Sequence, residues 1–208
     1  MARPQKIRAS ALGLGLALAL SGCSAITAIS DASKTLEVYE LRAPEIQPAG
    51  RSFGLDVVIE EPTTSGALQT DRIMIRPDPL QAQYLPGVRW SETTPVMLQT
   101  LMLRSLEQSQ ALRYVGRTPL GISGDVAVLT ELVDFQAAVA PDGETGTVEL
   151  RLISRVVRES DIRILGTRTF AARAILPSVE EAAVIAGFDQ AASQLLSEHA
   201  AWVLSVLR

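Results

Sequence analysis

The chain has 208 residues, of which 47% are hydrophobic and 20% are charged, and its formal net charge is −4. This length suits one domain with a substantial core, and the acidic balance excludes a basic surface for nucleic acid. With one histidine, His199, and one cysteine, Cys23, the chain cannot build a Cys/His metal site.

The N-terminus has the three-part pattern of a secretory signal peptide. Three basic residues fall within the first eight positions, a 12-residue apolar run follows over residues 9–20, and small residues come next. This run is too short to span about 30 Å of hydrocarbon as a helix. We therefore expect residues 1–22 to be a signal peptide that is cleaved off.

The segment Leu20–Cys23, read Leu-Ser-Gly-Cys, resembles a bacterial lipobox, in which the cysteine receives a diacylglyceryl group before the chain is cut in front of it. A chance match at the end of an ordinary signal peptide is the alternative. The position of the only cysteine at this boundary favours lipidation of Cys23. Acyl chains contribute about 0.8 kcal/mol per buried methylene, so this lipid would anchor the protein to a membrane. We expect no other cofactor.

The predicted mature chain divides into a tether and one domain. Residues 23–35 are small and polar and read as a lipidated tether, and residues 36–208 form the domain. Ser24 follows the cysteine, whereas an aspartate there commonly signals inner-membrane retention in enteric bacteria. We therefore predict attachment to the outer membrane, facing the periplasm.

The sequence pattern in the first half of the domain predicts short strands and one helix. Alternating apolar residues bounded by turn residues indicate strands at 36–41, 53–59, 72–76, 83–85 and 113–117. Residues 67–71 are expected to form one helical turn. Thr93 or Thr94 can cap a helix that carries Pro95 in its first turn and ends near Gln110.

The second half predicts three long antiparallel strands and a final helix. Hairpin turns separate the strands, which are expected at Asp125–Val139, Thr147–Arg158 and Arg163–Leu176. The first strand is apolar on both faces, which indicates either a central strand or a face covered by another subunit. Ser178 and Glu181 fit a capping box for a helix that ends near Leu207. Together the elements predict a two-layer α+β sandwich, a largely antiparallel sheet with two main helices on one face.

The sequence shows no catalytic constellation. A Ser–His–Asp triad would need His199, which lies on the apolar stripe of the final helix, as expected of a packed, hydrogen-bonded histidine. The segment Gly121–Gly124 lacks the spacing of a nucleophile elbow, and the predicted mature chain has no phosphate-binding loop. We therefore expect no enzymatic activity. A secreted hydrolase is the alternative, and it would have to use His199 as its base.

Short motifs along the domain resemble those of a known family. They are Tyr39-Glu40-Leu41, the segment Leu68 to Ile73, Tyr84, Arg89-Trp90 before a leucine-rich helix, Leu132 to Phe135, and Arg168 to Phe170. In this order and spacing they resemble the ABC-type transport auxiliary lipoprotein component family, the PqiC/YmbA-like group, over about residues 36–205.

The resemblance implies a lipoprotein that works beside an ABC permease, an ATPase and a periplasmic MCE-domain protein in moving lipids or other apolar solutes between two membranes. It also implies a ring or other homo-oligomer. Arg89 and Trp90 are the family-like residues expected to contact the partner, although Trp90 also suits a core position beside the helix start. Arg168 interrupts an apolar strand face, where it either contacts a partner or an anionic lipid head or occupies a bulge or edge position.

A different class of outer-membrane lipoprotein is the main alternative. An assembly factor or a cell-wall factor would share the anchor and a small α+β body. Neighbouring genes distinguish the two, because a transport accessory is expected beside a permease and an ATPase.

Overall fold

The computed structural model describes residues 35–208. The predicted signal peptide, the predicted lipidation site at Cys23 and all but the last residue of the predicted tether lie outside the described residues. Within the described part, Glu37–Arg208 forms one compact unit by its internal contacts.

This unit contains ten strands and two helices among the described residues. In chain order they are β1 (Glu37–Tyr39), β2 (Asp56–Ile59), β3 (Thr63–Thr64), β4 (Met74–Asp78), β5 (Gln81–Tyr84), β6 (Val88–Trp90), α1 (Thr94–Gln108), β7 (Tyr114–Gly116), β8 (Val126–Val139), β9 (Gly146–Arg158), β10 (Arg163–Leu176) and α2 (Glu181–Val206). The long strands and both helices lie where the sequence predicts them.

The main sheet is mixed, which corrects the prediction of a largely antiparallel sheet. Its order is β10-β9-β8-β2-β7, with β3 and β4 also paired to β8 and β5 paired to β4. The hairpins β8-β9 and β9-β10 are antiparallel, as predicted, and β4-β5 is antiparallel as well. Strand β2 pairs in parallel with β7, and β2, β3 and β4 each pair in parallel with β8. Strands β1 and β6 form a separate parallel pair. The α+β class and the two helices are confirmed.

The central strand β8 carries a bulge that explains its two apolar faces. Its register against β9 shifts between Leu132 and Asp134, so Val133 is the extra residue. One inserted residue reverses the alternation beyond it. Phe135 therefore points into the core together with Leu132, instead of away from it, and both are 2% exposed. Leu129, on the opposite face, remains 40% exposed.

Both helices pack on the same sheet and contact each other. The helix α2 contacts β10 and β9, and α1 contacts β2, β7 and α2. Aromatic rings fill the centre of this layer: the ring centroids of Trp90 and Phe188 lie 5.4 Å apart, edge to face, and those of Phe135 and Phe188 lie 5.0 Å apart. Aromatic pairs of this kind contribute about 0.5–1.5 kcal/mol each beyond the area that they bury.

The two helix starts differ from each other in how well the sequence predicts them. Thr93 is at the N-cap position of α1 and a proline lies in the first turn, as predicted, but the Thr93 side chain makes no capping hydrogen bond. The capping box predicted for α2 is wrong, because the N-cap is Glu180 and makes no side-chain capping bond. The carboxylate of Glu181 instead accepts a hydrogen bond of 2.6 Å from the hydroxyl of Tyr39, which ties β1 to the start of α2. This hydrogen bond raises the pKa of Tyr39 to about 12.

Candidate functional site

Arg89 lies half-exposed in a local hydrogen-bond network. Its Nη1 atom lies 3.2 Å from Oδ2 of Asp71 and donates a second hydrogen bond of 3.1 Å to the carbonyl oxygen of Trp90. The backbone N–H of Trp90 in turn donates to the carbonyl of Asp71 at 2.7 Å. Arg89 therefore fixes β6 against the segment before β4 and keeps part of its guanidinium accessible.

Trp90 lies in the core, the alternative that the sequence leaves open. Its exposed fraction is 0%, and its ring contacts Phe135 and Phe188 edge to face. Its indole Nε1 is buried without a hydrogen-bond partner among the described residues. A side chain with no exposed area offers no surface to a partner, so its predicted partner contact does not fit this fold. Strand β6 places Trp90 and Arg89 on opposite faces, which is why only one of the two is accessible.

Arg168 occupies an edge position. It lies on β10, the terminal strand of the sheet, and pairs in register with Ser154 of β9. Its guanidinium carbon lies 4.9 Å from the ring centroid of Phe170, a cation–π geometry. The bulge between Ile164 and Gly166 lies a few residues earlier on the same strand. The sequence analysis gives a bulge or an edge position as the structural alternatives for Arg168. The structure has both, since Arg168 lies on an edge strand a few residues after a bulge, and its side chain is exposed.

His199 is a core residue of α2. It is 1% exposed and packs against Phe170, with ring centroids 5.3 Å apart, and against Trp202. Its Nε2 atom has no hydrogen-bond partner among the described residues, so the predicted hydrogen bond is not seen at this nitrogen. Burial lowers the pKa of His199 from its ordinary value of 6.5 to about 4. A neutral imidazole without exposed surface does not reach a substrate in this conformation.

A cleft of about 560 Å³ opens at the end of the sheet where β8 and β10 begin. The loop before β8 and the turn between β9 and β10 border it, and its lining is part apolar, part polar: Leu55, Val126, Leu165, Val206 and Leu207 with Ser123, Asp125, Arg158, Ser160 and Arg208. A backbone hydrogen bond of 3.1 Å from Glu159 to Asp125 connects the two borders. The cleft suits an apolar group flanked by hydrogen-bonding groups.

An ionic cluster holds one side of this cleft. Arg113 donates to Oδ1 of Asp56 at 2.7 Å and to Oδ2 of Asp125 at 3.3 Å, and the same Asp125 oxygen accepts the N–H of Asp56 at 2.8 Å. The hydrogen bond from Arg113 lowers the pKa of Asp56, and its counterpart raises the pKa of Arg113. The start of β8 is thereby fixed to β2.

Several aliphatic side chains are exposed in the loop before β8 and near the β9–β10 turn, a feature that the sequence does not make obvious. In the loop before β8, Leu120 is 70% exposed and Ile122 is fully exposed. In and after the β9–β10 turn, Ile162 is 83% and Ile164 is 57% exposed. A usable signal existed in the sequence, because Leu120, Ile122 and Ile162 interrupt turn-like segments where polar residues prevail.

Other site types receive no support from the described part. Residues 35–208 contain no group of three or more His, Cys, Asp and Glu side chains that could hold a metal ion. In the same residues no helix combines the length and the apolar character needed to cross a membrane.

The structure is thus that of a small α+β protein. Its surface presents arginines, a few exposed aliphatic side chains and an open cleft. The chain belongs to the ABC-type transport auxiliary lipoprotein component family, whose sequence pattern matches residues 39–200. The resemblance that the motifs indicate, over about residues 36–205, is thereby confirmed.

Several relatives are similar to this chain. An uncharacterized protein of Bradyrhizobium diazoefficiens is 29% identical over 170 residues, which cover 80% of this chain and 44% of that protein. The chain thus spans less than half the length of this curated relative. The crystal structure of protein XCC0632 from Xanthomonas campestris has a TM-score of 0.72 at 24% identity and covers 83% of this chain and 95% of its own. A further crystal structure of an uncharacterized protein has a TM-score of 0.61 at 14% identity, covering 81% and 99%. These structures share the fold.

Proposed function

We propose that this protein is a periplasmic accessory lipoprotein of an ABC transport system of the MCE type, anchored in the outer membrane through Cys23. It serves the transport of lipids or other apolar solutes by binding the periplasmic MCE-domain protein, and it catalyses no reaction itself. Membership of the auxiliary lipoprotein family over residues 39–200 is the observation that carries this proposal.

Two further observations support the proposal. The lipobox-like segment Leu20–Cys23 supplies an attachment site for the lipid that the family name implies. His199, on which the alternative hydrolase depends, is buried and keeps a depressed pKa. Binding through a surface is therefore the activity that suits this domain best.

Assembly into a homo-oligomer is part of the proposal. The sheet face opposite the helices carries Leu129 on β8 and Ile175 on β10, exposed by 40% and 84%. Aliphatic residues on an otherwise uncovered sheet face suit contact with a second copy of the chain. Light scattering of the purified protein in detergent measures the number of subunits, and a strictly monomeric mass would contradict this part.

Anchoring is tested by mass spectrometry and membrane fractionation. The purified protein is expected to begin at Cys23 and to carry the mass of its acyl chains. A Cys23→Ala variant should keep its signal peptide and disappear from the outer-membrane fraction. An unmodified Cys23 in the processed chain would refute the anchor.

Partner binding is tested by affinity purification of the tagged lipoprotein from detergent-solubilised envelopes. An MCE-domain protein with its permease and ATPase should copurify. Recovery of a machinery for envelope assembly or cell-wall synthesis, with no transport subunit, would favour the other class of lipoprotein and refute the transport role.

A further inference from the structure

The outer side of β10 is an open sheet edge. This strand is the terminal one of the main sheet, and no element among residues 35–208 pairs with its far side. Its register against β9 runs without interruption over residues 166–176, after a single shift near its start. Within the described part, β10 forms no backbone hydrogen bond outside its ladder to β9. A regular edge of this length presents a row of free N–H and C=O groups, which is a template for another strand.

Over this stretch β10 lacks the commonest protections of an open edge. Residues 163–176 contain no proline and no lysine, and the shift that disturbs the strand lies before residue 166. The only charged residues of the strand are three arginines, Arg163, Arg168 and Arg173. They disfavour pairing of β10 with a second β10, because like charges then meet, but they do not oppose an acidic strand.

Charge is distributed unevenly over the domain. The β9–β10 hairpin, residues 146–176, has six arginines and three acidic residues, whereas the other described residues have nine arginines and 19 acidic residues. Ion pairs engage three of the hairpin arginines, and the other three have no carboxylate partner among the described residues: Arg155, Arg163 and Arg168. The basic edge thus belongs to an acidic body, so a second copy of the chain supplies the complementary charge.

Arg168 and two aromatic rings lie together beside this edge. The guanidinium carbon of Arg168 lies 4.9 Å from the ring centroid of Phe170, and Trp202 of α2 packs edge to face on the same ring at 5.4 Å. Phe170 is buried, whereas Arg168 is exposed and Trp202 is partly exposed. Arginine and tryptophan are enriched among the residues that carry the binding energy of protein interfaces. An added strand therefore finds a side-chain anchor here in addition to the backbone groups.

The chain itself has an acidic edge strand. Among the described residues β1 pairs only with β6, in parallel. The N–H of Glu37 and the carbonyl of Tyr39 bond to residues that flank β6, at 2.9 Å each, so Val38 between them directs its N–H and C=O away from β6. Val38 is 49% exposed, and Glu37 and Glu40 are exposed as well. This edge offers two carboxylates and one apolar side chain beside free backbone groups.

We propose that the open edge of β10 is the docking surface for a second copy of this chain, which adds its β1 as the next strand. The inference rests on the homo-oligomer that is part of the proposed function. Backbone hydrogen bonds form the common part of the contact, and the attraction between the β10 arginines and Glu37 or Glu40 of the second copy selects the strand. An anionic bilayer surface offers charge but no ordered row of backbone donors and acceptors, so it does not complete the edge.

Cysteine cross-linking of two coexpressed copies tests the contact. One copy carries a cysteine in place of Thr169, Ala171 or Arg173, which are exposed on the open face of β10. The other carries Glu37→Cys or Val38→Cys, whose side chains point to opposite faces of β1. At least one combination should form a disulfide between the copies in detergent, since the bond needs Cα atoms within about 7 Å of each other. In the proposed function Cys23 carries the lipid and does not react.

The matched control for cross-linking is Leu80→Cys in place of the β10 cysteine. Leu80 is 96% exposed on the β4–β5 hairpin, outside β10, so this copy should form no disulfide with the β1 cysteine. Copies that cross-link only through two β10 cysteines would show that β10 pairs with β10. That result would overturn the proposal, as would an oligomer in which no combination cross-links.

Charge reversal tests the choice of strand. Arg168→Glu should raise the dissociation constant of the subunits in detergent, measured by analytical ultracentrifugation, about tenfold, because a repulsive cross-strand pair replaces an attractive one. Addition of Glu37→Arg and Glu40→Arg should restore assembly, a rescue that a destabilised fold would not show. Arg51→Glu is the matched control, because Arg51 is exposed in the loop before β2, outside both strands, and it should leave assembly unchanged.

The outcomes distinguish this inference from the function on which it rests. If the wild-type lipoprotein is oligomeric and none of these variants changes its assembly, the β10 edge is not the contact, and the transport role stands. A monomeric wild-type chain overturns the homo-oligomer and this inference together, whereas copurification of the MCE-domain protein still decides the transport role. In reconstituted vesicles, protection of Ala171→Cys from a soluble maleimide that requires phosphatidylglycerol and not a second copy would assign the edge to the membrane and overturn the proposal.

Discussion

Replacement of His199 by leucine is expected to change how the stability of the fold depends on pH. His199 is 1% exposed, its Nε2 atom has no hydrogen-bond partner among the described residues, and its ring lies 5.3 Å from that of Phe170. Leucine has a similar volume and can occupy the same space between Phe170 and Trp202. It removes the buried nitrogen and the only imidazole of the chain.

The direction in which pH changes the stability of the fold follows from the burial of the imidazole. Burial lowers the pKa of His199 from 6.5 to about 4, so between these values the unfolded chain binds a proton that the folded chain does not. Stability is therefore complete above pH 6.5 and is lost as the pH falls toward 4. From these pKa values, lowering the pH from about 7.5 to about 5 costs the wild-type fold about 2 kcal/mol through His199 alone. His199→Leu lacks this loss.

Urea unfolding of both proteins at the two pH values measures the effect. The carboxylates titrate in both proteins, so the difference between them isolates His199. At neutral pH the variant should be as stable as the wild type or more stable, because it no longer buries an unpaired nitrogen. NMR titration of the single imidazole in a tag-free protein gives its pKa directly. Equal pH dependence in the two proteins, or an imidazole that titrates near 6.5, would refute this reasoning and revive His199 as a candidate base.

Two further substitutions test the packing of the two layers. Gly187→Ala would normally stabilise a helix by about 1 kcal/mol, but an added Cβ would clash with the side chain of Leu176 and lie 3.0 Å from that of Val148. The cost of overpacking exceeds the gain in helix propensity, so we expect the free energy of unfolding, measured by heat or urea, to fall by about 1–3 kcal/mol. A more stable variant would contradict this prediction. Thr130 and Ser154 share a buried hydrogen bond of 2.9 Å. Ser154→Ala should cost about 1–3 kcal/mol, whereas adding Thr130→Val should recover part of it, and strictly additive losses would disprove the coupling.

The long elements could be predicted because their patterns repeat many times. The strand β10 was expected and is observed at Arg163–Leu176, and α1 begins at the predicted threonine cap with a proline behind it. Over 13 or 14 residues the alternation of a strand is distinguishable from a helical period. Strands of two or three residues carry no period at all. For this reason β3 at Thr63–Thr64 and β6 at Val88–Trp90 were not predicted.

The parallel pairing of the short strands with β8 could not be predicted for a different reason. An antiparallel hairpin leaves turn residues between its strands, as at the β8–β9 connection. The pairing of Ile75 with Ala137, in contrast, joins residues separated by more than sixty positions, with a helix and three strands between them. Nothing local in either segment encodes this partner, so the strand β4 is predicted from the sequence but its parallel pairing with β8 is not.

The bulge at Val133 changes the functional interpretation of β8. Strict alternation places Phe135 on the face opposite Leu132, and two apolar faces then suggest contact with another subunit. The extra residue turns Phe135 inward, so most of this apolar surface is satisfied within the domain. The case for an oligomer contact on this face therefore depends on Leu129 and Ile175, which remain exposed.

Ile162 shows where a sequence-based search for unusual residues falls short and what it could use. A search for chemistry looks at titratable and nucleophilic residues, and here it leads to His199, which is buried. An isoleucine in the segment Glu159–Arg163 is visible in the sequence, but its left-handed backbone depends on the register between β9 and β10. Only when that register is known does Ile162 become a residue that the turn itself disfavours. The left-handed backbone, more than the exposure, is then what separates Ile162 from an ordinary exposed aliphatic residue such as Leu80.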